Sequence, residues 1–81
     1  MYFTYILYSS KFTKTYTGHT QDLVKRLKEH NSGKTKSTKP YIPWEIYYCE
    51  KFLTRKEAVM REKFFKSPSG RKFIKNNLFK N

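Results

Sequence analysis

Glu62 is the side chain whose placement most demands chemistry. Ala58, Glu62 and Phe65 fall at i, i+4 and i+7, so on a helix they share one face and the carboxylate has apolar neighbours. A carboxylate on a packed face is costly unless a cation meets it. That cation is either an ammonium, from Lys63, Lys66 or a strand residue, or a bound metal ion, and spacing leaves both open. Arg26 and His30, four residues apart, stack on one flank of another helix. Near a helix C-terminus the dipole is reason enough for a histidine, stabilised there as a cation. Tyr5 and Tyr16 fall in strand-like segments, and His19 follows Gly18 at an expected turn. Singly, each has a plain role: a tyrosine with a satisfied hydroxyl, a solvated helix charge, an exposed turn histidine. Composition and spacing do not assemble them into one site.

Positioning these groups requires strands and helices in a definite order. Tyr2 to Tyr8 is apolar on both parities and rich in aromatic and β-branched residues, as a central strand covered on both faces would be. Ser9 to Thr13 turns the chain and Lys14 to Gly18 reads as a second strand, forming a hairpin. Thr20 reads as an N-cap and Asp22 as a first-turn acid for a helix from about Gln21 to His30. Leu23, Val24 and Leu27 supply its apolar stripe, and Asn31-Ser32-Gly33 stops it. Lys34, Lys36 and Lys39 then stand in a basic loop up to Pro43. Trp44 to Phe52 alternates Trp44, Ile46 and Tyr48 against Glu45, Tyr47 and Cys49, a third strand with one packed face. Thr54-Arg55-Lys56-Glu57 is a capping box that opens the helix carrying Glu62. Ser67-Pro68-Ser69-Gly70 breaks that helix, and Arg71 to about Phe79 reads as a short terminal helix on Phe73, Ile74 and Leu78.

The whole is an α+β pattern within one domain, 1–81, since 81 residues bury only roughly 60 to 65% of their unfolded surface and cannot divide that core. Cys49 is the single cysteine, so there is neither a disulfide framework nor a structural zinc site, which fits a reducing cytosol. Met1 to Tyr8 lacks a basic leader and a long apolar run, so neither a secretory signal nor a membrane span is expected. Eighteen Lys and Arg against six Asp and Glu give +12, a potential that attracts polyanions, with nucleic acid the leading partner.

Phe3-Thr4-Tyr5, Tyr16-Thr17-Gly18, Arg26 ten residues after Tyr16, His30-Asn31, and Glu57-Ala58 followed by Glu62 and Lys66 resemble the ordered motifs of the GIY-YIG nuclease domain. The similarity covers nearly the whole chain and is strongest to the small bacterial single-domain subgroup related to the N-terminal nuclease module of the excision-repair endonuclease. In the first motif only the tyrosine is kept, with Phe3-Thr4 in place of glycine and isoleucine. The resemblance implies a three-stranded antiparallel sheet flanked by about three helices. It also implies a metal-dependent endonuclease that hydrolyses DNA in repair or nucleic-acid turnover, in the cytoplasm or at the nucleoid. By position it makes Tyr5, Tyr16, Arg26 and Glu62 catalytic, with Glu62 holding one Mg2+ or Mn2+, and His19 and His30 as helpers. Lys34, Lys36, Lys39, Arg71 and Lys72 are the candidates to track phosphates. The alternative is a non-catalytic DNA- or RNA-binding module on the same fold.

Overall fold

A computed structural model of the protein describes residues 1–78. Strands β1 (Tyr2–Ser9), β2 (Lys14–Thr20) and β3 (Glu45–Phe52) form an antiparallel sheet in the order β2-β1-β3. Helix α1 (Leu23–Asn31) covers one face, and α2 (Arg55–Lys66) and α3 (Pro68–Phe73) the other; α3 continues as a wider helical turn over Ile74–Leu78. Among the described residues the fold is thus α+β, with three strands and three α-helices, and a single 3-10 turn at Lys39–Tyr41 in the basic loop. Phe79, where the sequence places the end of the last helix, lies outside the described residues.

β1 is central, and its two parities feed two cores. Tyr5 and Leu7 pack with Trp44, Tyr16, Leu23 and Leu27 beneath α1, while Ile6 packs with Phe65, Ile74 and Tyr48 beneath α2 and α3. Full burial of each such side chain contributes about 1.5 to 3 kcal/mol. This is why the strand reads as apolar on both parities.

α2 is fixed along the sheet at two points. The capping box forms, with Glu57 N–H bonded to Thr54 Oγ1 and Thr54 N–H bonded to Glu57 Oε1. Buried Thr4 then donates its hydroxyl to the Ala58 carbonyl at 2.7 Å. Arg61 clamps the same helix to β3, with Nε 2.7 Å from Glu50 Oε1 and its guanidinium against Phe64, Phe65 and Phe73. With Ala58 and Phe65 buried against the sheet, Glu62 is carried to the β2 side.

Several local expectations are corrected. α1 starts at Leu23 with Asp22 as its N-cap, its carboxylate accepting from Lys25 N–H at 3.1 Å; Thr20 instead ends β2, its hydroxyl turning back on Asp22 N–H. Val24 is 65% exposed, because the buried stripe of this helix is Leu23, Leu27 and His30, and Val24 lies about 100° away from it. β3 starts at Glu45, and a bulge opposite Ile6 and Leu7 breaks its alternation, pairing Ile46 with Leu7 and Tyr48 with Ile6. Trp44 and Tyr48 therefore serve different cores, as an extra residue in a strand requires. Ser67-Pro68-Ser69-Gly70 is a start as well as a break. Ser67 caps α3 through Gly70 N–H, and Gly70 lies inside α3 where a Cβ would fall 1.8 Å from the Phe64 carbonyl oxygen.

Candidate active site

Tyr5 points to the α1 face, where its hydroxyl passes directly over Gly18, its cross-strand partner. A Cβ on Gly18 would stand 2.6 Å from that oxygen. Gly18 is therefore a strand residue kept bare for Tyr5, not the expected turn. The Tyr5 hydroxyl meets His30 Nε2 at 3.1 Å, and His30 Nδ1 meets Thr38 Oγ1 at 2.8 Å. Thr38 gives its own proton to the Thr35 carbonyl, so Nδ1 is the protonated nitrogen and Nε2 accepts from Tyr5. The direction runs outward from Tyr5 to the basic loop.

Burial pushes the Tyr5 hydroxyl up to about 12, against the pull of the Arg26 guanidinium. Burial and then the Arg26 charge hold His30 below its ordinary value. His30 is fully buried, which corrects the expectation of a dipole-stabilised cation at a helix end: it is a neutral ring inside the core. The Tyr16 ring lies 4.8 Å from His30 and 6.4 Å from Tyr5, centroid to centroid.

Arg26 sits one turn before His30 on α1. Its interaction with the Tyr5 oxygen raises its pKa despite partial burial, and its Nη1 is 3.0 Å from Glu29 Oε1. With His19, Lys25 and Arg55, and with the carboxylates of Asp22 and Glu29, it lines a cleft of about 340 Å³ of mixed charge at one end of β2.

Glu62 approaches β2 from the opposite face. Its Oε1 is 2.5 Å from His19 Nδ1 and its Oε2 is 2.7 Å from Lys66 Nζ, leaving the side chain 17% exposed. A carboxylate only accepts, so His19 Nδ1 carries the proton. Burial raises the Glu62 carboxyl, but Lys66 and His19 outweigh it and keep the group below the usual carboxylate range. The ammonium partner anticipated for Glu62 is thus present as Lys66, and His19 is a strand residue paired to it instead of an exposed turn histidine. Among the described residues no three His, Cys, Asp or Glu cluster as a cation cage. One ionised carboxylate is nonetheless a hard oxygen donor of the kind Mg2+ or Mn2+ accepts while keeping waters.

Tyr5, Tyr16 and Arg26 therefore gather on the α1 side of the sheet, with Glu62 on the α2 side, and β2 is the edge between them. The charge of Glu62 reaches Tyr5 across that edge, as one of the influences raising its pKa. A second cleft, about 480 Å³, is lined by Tyr16 with Lys14, Lys66 and Arg71. The chain His19–Glu62–Lys66 links the two clefts. Lys34, Lys36, Lys39 and Lys72 are exposed, the first three in the loop that begins after α1. Sequence reasoning missed Thr38, fully buried in that loop. A threonine amid lysines and serines carries no local signal of burial. The placement of Lys25 and Arg55 beside Arg26 and His19 depends on how α1 and α2 meet the end of β2, which local sequence does not show.

Residues 1–77 match the GIY-YIG catalytic domain. UPF0213 protein YazA of Bacillus subtilis is 40% identical over 72 residues, covering 88% of this chain and 72% of that protein. UPF0213 protein YsiG of Lactococcus lactis subsp. lactis is 44% identical over 84 residues, 98% of this chain and 80% of that protein. A UPF0213 protein of Bacillus pumilus is 51% identical over 53 residues, where the match spans about half of the relative, 54%. No solved structure matches the chain significantly.

Proposed function

Because the chain belongs to the GIY-YIG catalytic domain family, we propose that it is a metal-dependent endonuclease hydrolysing DNA phosphodiester bonds, in repair or nucleic-acid turnover, in the bacterial cytoplasm. The observation that carries this reading is Glu62. An ionised carboxylate bonded to His19 of one cleft and to Lys66 of the other, on a chain of net charge +12, has little use in a pure phosphate binder, which it would repel.

In this reading Arg26 grips the oxygens of the scissile phosphate with its planar fork as charge builds on them. Tyr5 holds its proton, since burial and the gift to His30 Nε2 both oppose its loss. Tyr16, half-buried at the edge strand and lining the second cleft, is then the tyrosine placed to take the proton of the attacking water. His30 acts through Tyr5 and His19 through Glu62, as positioning residues. Glu62 would hold one Mg2+ or Mn2+, which when bound neutralises charge on the phosphate and the departing 3′ oxygen.

Labelled single-stranded, duplex, branched and RNA substrates, incubated with Mn2+ or Mg2+, test the reading. Cleavage that EDTA, Glu62→Gln and Arg26→Ala each abolish is expected. Cleavage surviving both substitutions overturns the assignment. A second reading, a DNA- or RNA-binding module, is favoured by one observation: both Glu62 oxygens already have partners in Lys66 and His19. It calls for metal-independent binding and no product.

A further inference from the structure

The tip of the β1–β2 hairpin consists of Ser10, Lys11, Phe12 and Thr13. Apart from Ser10, none of these is a residue that favours tight turns, and neither glycine nor asparagine stands at Thr13. Thr13 takes the left-handed conformation, φ 53°, a position strained for a β-branched side chain. What the turn accomplishes is to hold Phe12 out, 41% exposed and outside both cores.

Phe12 stands edge-to-face against Tyr41, centroids 5.6 Å apart, and Tyr41 is braced from behind by buried Trp44 at 6.3 Å. An ammonium lies over each ring: Lys11 Nζ 5.6 Å from the Phe12 centroid and Lys14 Nζ 5.5 Å from that of Tyr41. The platform is continuous with the second cleft, because Thr13 and Lys14 also line it, beside Tyr16, Lys66 and Arg71. An exposed aromatic ring beside ammonium groups on flexible stems is complementary to a nucleotide: as Lys11 swings from the ring to the phosphate, the face it covered is left to the base. A paired base shows its face to no ring, whereas an unpaired one can leave its stack.

We propose that the hairpin tip is a stacking platform for an unpaired nucleobase, with Phe12 as the ring and Lys11 and Lys14 on the adjoining phosphates. It thereby makes a single strand, or the unpaired arm of a branched one, the nucleic acid that enters the second cleft. The proposal rests on the endonuclease reading for its orientation toward Glu62, but its binding step is independent of metal.

The test is fluorescence anisotropy in EDTA with labelled oligothymidylate and with a duplex of equal charge, using the wild type, Phe12→Ala and Phe12→Trp. Phe12→Ala is expected to weaken single-strand binding roughly 5- to 150-fold, the range for loss of one stacked base, and to leave duplex binding within about twofold. Phe12→Trp is expected to restore single-strand affinity and to show indole emission quenched by the bound base, which a merely structural role would not give. Equal loss on both substrates, or no loss on the single strand, overturns the platform. Unchanged affinity together with a dimer that Phe12→Ala dissolves in sedimentation assigns the tip to a second copy of the chain, which also overturns it. Phe12-dependent binding without Mn2+-dependent cleavage sinks the endonuclease reading alone, and cleavage with unaltered Phe12→Ala binding sinks the platform alone.

Discussion

The Tyr5 hydroxyl donates to a neutral, fully buried His30 at 3.1 Å. That bond ties the central strand to α1, and through Thr38 to the loop bearing Lys34, Lys36 and Lys39. A ring so placed resists protonation, so His30 makes stability depend on pH.

His30 binds its proton less tightly folded than unfolded, since burial lowers it from 6.5. Below that value the unfolded chain takes up more protons, so this contribution is fully present above about pH 6.5 and is lost as pH falls through the folded value. Glu62 and Glu50, lowered from 4.5, add stability above 4.5 that is lost at still lower pH. Urea midpoints measured across pH are expected to fall in two stages for the wild type, and His30→Gln is expected to lack the first. His30→Ala leaves a cavity and removes the acceptor of the buried Tyr5 hydroxyl, and is expected to cost about 2 to 4 kcal/mol.

Gly18→Ala is expected to destabilise the protein by about 1 to 3 kcal/mol, the range for overpacking. The new methyl would meet Tyr5 Oη at 2.6 Å and Cζ at 2.8 Å, in a strand where neither backbone can yield. Thermal unfolding and the Tyr5 ring resonances report it. A variant as stable as the wild type, with the Tyr5 resonances unshifted, would show that the hydroxyl does not lie over Gly18.

These two residues also show what was legible in the sequence. The buried central strand, the capping box at Thr54 and the placing of Glu62 beside Ala58 and Phe65 all follow from local pattern, because burial on a helix or strand imposes its own period. Gly18 read as a turn because a glycine's reason can be a neighbour's side chain, and Tyr5 is thirteen residues earlier in the chain. The pairing of His19 with Glu62, and the burial of His30 and Thr38, depend on which face of the sheet each element covers. No window of sequence contains that information. The β3 bulge is of the same kind, since pairing with β1 sets it.

In the proposed reading Lys66 and a divalent cation would compete for Glu62. An exposed i,i+4 ion pair is worth only about 0.3 to 0.5 kcal/mol, and the Lys66 side chain is 53% exposed. Lys66→Met is therefore expected to tighten Mn2+ binding by no more than about two- to threefold, read by the electron paramagnetic resonance of free Mn2+. Glu62→Gln is expected to abolish the binding. Mn2+ affinity that survives Glu62→Gln would place the metal elsewhere.

The remaining prediction concerns the basic loop and α3. Lys34, Lys36, Lys39, Arg71 and Lys72 are all exposed, and none has a carboxylate partner among the described residues. Each is free to release a counterion by meeting a phosphate. Affinity for DNA should then fall steeply between about 50 and 200 mM salt, and each substitution that removes a real phosphate contact should lower the slope of log K against log salt by about 0.7 to 0.9. Alanine in place of Lys34, Lys36 and Lys39 together is expected to lower it by about two to three, with little effect on stability because none of the three is paired to an acid. The same triple variant separates charge from stacking. Its loss should shrink as salt rises and be shared by single strands and duplex, whereas the loss from Phe12→Ala should persist at high salt and be confined to single strands. A slope unchanged by the triple variant would remove the loop from the DNA path and leave the two clefts beside β2 as the whole of the interface.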